Sequence, residues 1–598
     1  MASGFSRIDL GGLNRRSLLL IAAVLAPVAV LLAVSGGVRA TVGGLRISAR
    51  SPLGASVAAI AAAAAWLVLA RRANAVTTDL DDAWAALENH GRSLVVLVAA
   101  VGGIVAAVFA TGSASGADAS GYLSEAAHWA SGQIFHRDAL AAVVGGDPWL
   151  TSPLGWRPSP LAGLQSPTYP PGLPLLMAVP HALGGTAAAV FVVSVSAALA
   201  IWATGWLAMS LAGGVAGIVA AIALAAGPVF LFQSIQPMSD VPVTAAWMVM
   251  WVLLVTPRWP RTSTTKDAED TENISHVGAA GVACAIAVLI RPNLAPLAAV
   301  PLLLIGWHLR RAIVFSIPVA LAGLMLMWLQ WQWYGSPLRS GYGTAGELFA
   351  LANIGANASR YLRWVFDTSP ALLLAPIGLV LAWRHPATKA LVVFAALVAS
   401  AYLVYAVFDE WSYLRFLLPS LAVAAAFLGV AAATVLRRVP VPARVASVLA
   451  VVLVLTAHGV SQARALGTFR LADQQQRVSQ VSAYLASTLP AEAVIISGEQ
   501  SGALRHYTGR SILRWDAASS DSLAAALSTL NAAGRPVVIA LDAWENDPFR
   551  AKFNAVASVS LEWPPAFEAG TSHRTRVWRL RDRDAFQKGA PVRTQRAP

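Results

Sequence analysis

The sequence predicts a mainly α, polytopic transmembrane helical bundle of about thirteen spans, followed by a small C-terminal α/β domain. Three observations carry that reading. Of the 598 residues, 57% are hydrophobic and only 12% charged, more apolar surface than a soluble chain of this length can hide. Apolar runs recur along the first 460 residues, many near the roughly 17–25 residues that a helix needs to cross hydrocarbon. Beyond residue 460 the pattern changes to short β-rich runs alternating with amphipathic stretches. Backbone groups in hydrocarbon must all be satisfied without water, so the membrane part is read as helical rather than as an open sheet.

The expected spans are 17–36, 55–70, 93–111, 186–208, 214–232, 241–256, 277–290, 294–308, 312–331, 371–383, 389–408, 416–436 and 445–460. The first follows Arg15-Arg16 and is long enough to act as a signal anchor. Residues 172–182 are apolar but short and bracketed by prolines, which suits an interfacial or re-entrant helix. Three regions follow: 1–92 with two spans, 93–460 as the membrane core, and 461–598 as the extracytoplasmic α/β domain with a frayed end. Within the tail, helices are expected at 478–489, 500–508 and 521–530. Strands are expected at 493–497, 511–515 and 536–541, with an edge strand at 574–580.

The formal charge of +13 could suggest a nucleic-acid partner, but the basic residues sit mostly in short loops beside apolar runs. With the N-terminus inside, cytoplasmic loops hold about 16 Lys/Arg in roughly 80 residues, against about 10 in roughly 150 for the opposite loops. That asymmetry places Arg71-Arg72, Arg310-Arg311 and Arg437-Arg438 in the cytoplasm, with Arg39, Arg46 and Arg50 as exceptions. It also puts the long loop 112–185, the loop 332–370 and the tail on the outer face of a bacterial inner membrane. The expected partners are therefore membrane lipids and not nucleic acid. The only cysteine, Cys284, lies in an apolar run and excludes an internal disulfide. The 21 tryptophans fall mostly at span ends, as interface anchors do.

Charges are scarce here, so those at the outer ends of spans draw attention. The first outer loop opens Gly116-Ala-Asp118-Ala-Ser-Gly-Tyr122-Leu-Ser-Glu125. Read as a helix, it places Asp118, Tyr122 and Glu125 on one face, where a carboxylate could act as general base or metal ligand. An amphipathic interfacial helix would show the same spacing. The loop ends Thr168-Tyr169-Pro170-Pro171-Gly172, whose tandem prolines fix the angle at which the next helix begins. Ser239-Asp240 puts a second acid at the outer mouth of a span, where an N-cap would also place one. Arg291, before Pro292-Asn293, and Arg415, in Tyr413-Leu-Arg415-Phe, are guanidinium groups near hydrocarbon. They suit either a functional site or snorkelling to headgroups. His128, His136 and His181 show no ligand spacing.

Taken in order, these segments resemble the GT-C superfamily of membrane glycosyltransferases, chiefly protein O-mannosyltransferases, lipid A aminoarabinose transferases and galacturonic-acid transferases. Asp118 and Tyr122 are similar to the Asp-x-x-x-Tyr of the family's first outer loop. Tyr169-Pro170-Pro171-Gly172 is similar to the proline pair that follows it, and Ser239-Asp240 to the second acid. The segments around Arg291 and Arg415 are weaker echoes, and the resemblance spans roughly residues 93–440. It departs from many members at Ala119, where a second acid stands, and at Thr168 and Tyr169, where some carry an acid or Lys.

The resemblance implies an inverting displacement at the anomeric carbon of a polyprenyl-phosphate sugar. The acceptor would be a lipid, glycan or protein hydroxyl. In those roles Asp118 is the base, Asp240 the second acid, and Tyr122, Tyr169, Arg291 and Arg415 the substrate-binding groups. Asp118 and Asp240 would hold a divalent cation, Mg or Mn, if one is used. Two other classes stay open: a transporter or flippase of a lipid-linked glycan, and an O-antigen ligase or polymerase.

Overall fold

The computed structural model describes residues 14–42, 45–49, 51–255, 266–306 and 308–597. Among them, eight helices are long and apolar enough to cross a membrane, or ten if each of two bent pairs is one span. Three shorter apolar helices, Asp240–Val255, Ile274–Ile290 and Pro292–Ile305, accompany them. The chain is thus a multi-pass helical membrane protein.

Proline and glycine account for the departures from the expected spans. The stretch at 371–383 is not a straight span but the second limb of Leu351–Thr368 and Pro370–Leu381, bent by 109° where Pro370 removes a donor. Gly214–Ala225 and Pro228–Ser234 bend by 64° at Gly227-Pro228. The segment 292–299 winds as a 3-10 helix around Pro292 and Pro296. The short stretch after Pro171 continues into the next span as Gly172–Ala212, broken only at Gly184 and Gly185, whose backbone angles are not helical.

At the middle of the bundle lies the helix running from Trp411 to Leu436, 78% of whose apolar window is buried against 22% for Leu309–Tyr334. Small residues permit that closeness. Gly429 lies against Ala216 and Ala220, and a Cβ there would come within 3.1 Å of the Ala220 backbone nitrogen.

Contacts sort the helix ends into two sets. At one end, Arg15 pairs with Asp79 at 2.8 Å and Arg437 with Glu88 at 2.8 Å, while Arg437 also donates to the Ala212 carbonyl. This basic end also holds Arg71 and Arg72, in the last turn of Leu53–Arg72. At the other end, Arg464 donates to the Val34 carbonyl at 3.1 Å and the α/β domain sits on the bundle.

That domain contains a six-stranded sheet. Its order is Gln595–Arg596, Phe567–Ala569, Thr575–Arg579, Val537–Asp542, Val494–Ser497 and Ser511–Arg514. The strand at 494 pairs in parallel with those at 511 and 537, and 575–579 is antiparallel to its neighbours. Alternation builds both faces: Val494, Ile496, Ile539 and Leu541 pack with helix Ser520–Ala532. Ile495, Val538 and Ala540 pack on the other face with helices Leu471–Thr488 and Ser501–Thr508. The end of the chain, expected to fray, instead adds a parallel strand. Gln595 donates to Ala566 at 3.0 Å and Ala597 to Glu568 at 2.9 Å, and Arg596 lies 3.8 Å from the Glu568 carboxylate.

The domain docks on helix Ala117–Ala130 and the loop after it. Gln500 accepts from Gly116 N–H at 3.2 Å, Ser501 from Leu154 N–H at 3.0 Å, and the Tyr507 hydroxyl from Ala114 N–H at 2.8 Å. The loop carries a three-stranded sheet of His136–Arg137, Leu164–Pro167 and Trp156–Pro158.

The charge asymmetry predicts that the domain end faces outward. Cysteines introduced at Ser572 in the tail and at His308 between two spans, both exposed, test this against a buried native Cys284. In intact spheroplasts an impermeant thiol reagent should modify the first and spare the second. Modification of the His308→Cys variant alone would invert the orientation.

Candidate active site

The two acids singled out in the sequence come together. Asp118 sits in the first turn of helix Ala117–Ala130 and Asp240 in the first turn of Asp240–Val255. Arg415 lies between them, with Nη2 2.9 Å from Asp118 and Nε 4.0 Å from Asp240. Arg291, which directly follows helix Lys266–Ile290, pairs with the same Asp240 oxygen. Its Nη1 donates to the Tyr402 hydroxyl at 3.0 Å, which also accepts from Asn293 at 3.1 Å. Two carboxylates and two guanidinium groups therefore balance in charge at the domain end of the bundle.

This geometry decides between the local readings of each residue. The arginines do not snorkel: their side chains are 9% and 15% exposed and both point to acids. Nor does Asp240 serve as a plain N-cap, since one oxygen faces both arginines and Oδ2 has no hydrogen-bond partner. Asp118 is the accessible member of the set, with a side chain 32% exposed against 1% for Asp240.

Aromatic rings enclose the cations. The Arg291 guanidinium lies 5.3 Å from the Phe416 ring centre and 5.8 Å from that of Tyr402. Arg415 lies 5.3 Å from Phe416 and 5.1 Å from Tyr413. Such faces stabilise desolvated cations by about 2 kcal/mol. Tyr122 donates to Ser239 Oγ at 3.0 Å, which ties the helix of the first acid to the residue beside the second. Tyr169 packs against Tyr122 with ring centres 4.8 Å apart, and Tyr342 stands edge-on to it at 5.9 Å. Burial first, and the Asp118 charge second, raise both Tyr122 and Tyr169 above the ordinary phenol range, so both remain neutral donors. Helix Ala117–Ala130 is held close to the loop because Gly121 faces Gly155; a Cβ at 121 would lie 3.1 Å from the Gly155 Cα and strike the Tyr169 ring.

Sequence reasoning missed Tyr402, Phe416, Asn293 and Tyr342 as parts of this site. Tyr402 and Tyr405 closing an apolar run offered a signal, but tyrosines there read equally as interface anchors. Glu125, expected on the Asp118 face, points elsewhere: its Oε1 accepts from Trp129 Nε1 at 3.1 Å, and burial raises its carboxyl well above the usual range. His128 and His136 face one another at 3.2 Å beside Trp156.

The two acids do not by themselves make up a complete metal site. Each acid already faces a guanidinium, which leaves Asp240 Oδ2 as the one buried carboxylate oxygen of the pair without a partner. Among the described residues, no group of three or more His, Cys, Asp or Glu side chains could hold a metal ion. Mg or Mn held by one or two carboxylates completes its shell with water and substrate phosphate oxygens, so a cation at this pair would come with the donor phosphate.

No family model and no curated protein matches the chain. Solved structures do. ArnT from Cupriavidus metallidurans, bound to undecaprenyl phosphate, is similar at a TM-score of 0.53 and 14% identity, over 81% of this chain and 98% of that one. The Archaeoglobus fulgidus oligosaccharyltransferase in its apo form gives 0.48 and 12% identity, over 76% and 70%. The likeness to ArnT extends over nearly all of that protein, and this chain shares its fold.

Proposed function

We propose that the protein is a glycosyltransferase of the bacterial inner membrane. It would move a sugar from a polyprenyl-phosphate donor to a hydroxyl of an extracytoplasmic lipid, glycan or protein, with inversion. The observation that carries the reading is the guanidinium of Arg415 set between two carboxylates at the domain end. The ArnT structure with undecaprenyl phosphate adds a lipid carrier of the right chemistry for a fold of this kind.

In this reaction the acceptor oxygen attacks the anomeric carbon from the face opposite the phosphate. The carbon–oxygen bond to phosphate breaks as the new glycosidic bond forms, and the acceptor proton passes to Asp118. The departing polyprenyl phosphate gains negative charge, which prearranged cations stabilise in a water-poor site. Arg415 suits that role because its Nε is buried without a hydrogen-bond partner. A phosphate that draws on Arg415 also loosens its hold on Asp118, and a carboxylate released from a cation is the stronger base. Arg291, held by Asp240 and Tyr402, anchors the set.

Labelled sugar on a polyprenyl phosphate, reconstituted with the protein in proteoliposomes, distinguishes this reaction from transport. Transfer leaves the label on an acceptor, whereas a flippase leaves it on the lipid. Asp118→Asn keeps the size and loses the base, so kcat should fall about 100-fold or more. The variant should fold, as its side chain is a third exposed, and full activity would remove Asp118 from the chemistry.

Arg415→Lys should lose far more activity than Arg581→Lys, whose side chain is 75% exposed. Lysine cannot reproduce the two-pronged grip on a phosphate. A raised donor KM would mark binding and a lowered kcat would mark stabilisation of the leaving group. Intact values of both would return Arg415 to a structural role.

Because the arginines supply the positive charge, EDTA should leave the transfer rate within experimental error of the untreated enzyme. Loss of activity restored by Mg or Mn would show instead that a cation joins the acids.

A further inference from the structure

The α/β domain carries a topological switch point of its own, at the end that docks on the segment leading to Asp118. From the central strand Val494–Ser497 the chain crosses through helix Ser501–Thr508 to the strand Ser511–Arg514 on one side. It then crosses through helix Ser520–Ala532 to Val537–Asp542 on the other side. The two helices cover opposite faces of the sheet. The chain therefore reverses direction between strands 494–497 and 537–542, and in open parallel sheets ligands bind beyond the carboxyl ends of strands at such a switch point.

Three acids stand at those carboxyl ends, and two are engaged. Asp542 accepts from Arg477 at 3.0 Å and from Gln500 at 3.0 Å, and Thr575 donates to it as well. Glu545 accepts from Trp515 Nε1 at 2.9 Å and from the backbone N–H groups of Glu499 and Asp542 at 3.0 and 2.9 Å. The third, Glu499, is held by its backbone alone, and its carboxylate forms no hydrogen bond or ion pair among the described residues. The preceding Gly498 has no room for a side chain, since a Cβ would strike Glu545 and the Trp515 ring. The turn is thus fixed, and its one uncommitted group faces the membrane site. Glu499 Oε1 lies 3.5 Å from where a Cβ on Gly116 would stand, two residues before Asp118.

We propose that Glu499 is an acceptor-binding residue: its carboxylate takes a hydroxyl of a neutral glycan lodged between the switch point and Asp118. The proposal rests on the glycosyl-transfer reading and names the acceptor class for it. Carboxylates accept hydroxyl hydrogen bonds, and a sugar offers a second hydroxyl near the one that reacts. Glu499 and Glu545, neither of them ion-paired among the described residues, make the site unfavourable for an anionic acceptor. Burial first, then Glu545 and Asp542, push the Glu499 carboxyl up to about 7, which marks a carboxylate short of partners in the free protein. A hydroxyl donor would supply what it lacks.

The test uses the full chain in proteoliposomes, a labelled polyprenyl-phosphate sugar, and a delipidated envelope glycan extract as acceptor probe. Glu499→Gln should raise the half-saturating amount of extract about tenfold or more, the loss of a charge-assisted hydrogen bond. Glu499→Asp should recover part of that loss. Binding of undecaprenyl phosphate to the same variant should match the wild type, which shows that the fold and donor side survive. An unchanged half-saturation overturns the proposal, as does a loss that falls on undecaprenyl phosphate binding instead. Wild-type transfer to lipid or protein but not to the glycan extract overturns the acceptor class while leaving glycosyl transfer intact. A wild-type protein that transfers no sugar at all overturns both.

Discussion

One guanidinium shared by two carboxylates sets the terms for the rest of the protein. Moving an ion out of water costs several kcal/mol even after relaxation, and only a well-placed partner offsets it. Asp118 and Asp240 carry two negative charges to the end of an apolar bundle, and Arg291 and Arg415 carry two positive ones. The four groups come from the ends of four separate elements, so the balance holds only while those ends keep their places. Removing one partner of a buried pair costs about 3–5 kcal/mol because the other is left uncompensated. Asp240 is the member most exposed to that penalty, being the most buried and facing both arginines. In the proposed reaction it serves architecture and chemistry together, whereas Asp118 is freer to serve chemistry alone.

The residues of this site were legible in the sequence as rare charges, but not as partners. Asp118 and Tyr122 show in the sequence because four positions on a helix share a face, and Asp240 because an acid at the head of a span stands out. Nothing local reveals that Arg415 reaches Asp118 across 297 positions of chain. N-capping and snorkelling are explanations that a single residue and its neighbours in sequence can satisfy, and burial by distant helices overrides both. The same limit explains Tyr402, whose hydroxyl matters only because Arg291 and Asn293 meet it.

The fold divides in a similar way. Long apolar runs announce their helices, since hydrophobicity and length are properties of the run itself. Bends do not: Pro228 and Pro370 were visible, but whether a proline begins a helix or splits a span depends on what packs beside it. In the tail, the inner strands at 494 and 537 are legible because they are apolar on both faces. The short strands at 567 and 595 are not, because their two or three residues are strands only by virtue of their neighbours.

The docking of the tail on helix Ala117–Ala130 links these two levels. Gln500 and Tyr507 bind the backbone of the segment that leads into that helix, so the position of Asp118 depends on the domain as well as on the bundle. In the proposed reaction this places the two substrates on different sides of one carboxylate. A donor phosphate, carried by a lipid, meets the arginines from the bundle. An acceptor hydroxyl arrives from the tail. Asp118 is paired with Arg415 until the phosphate competes for that cation, so its basicity toward the acceptor rises only once the donor is seated. An enzyme built this way activates its acceptor when there is a sugar to give it, which limits idle proton transfer and the loss of donor to water.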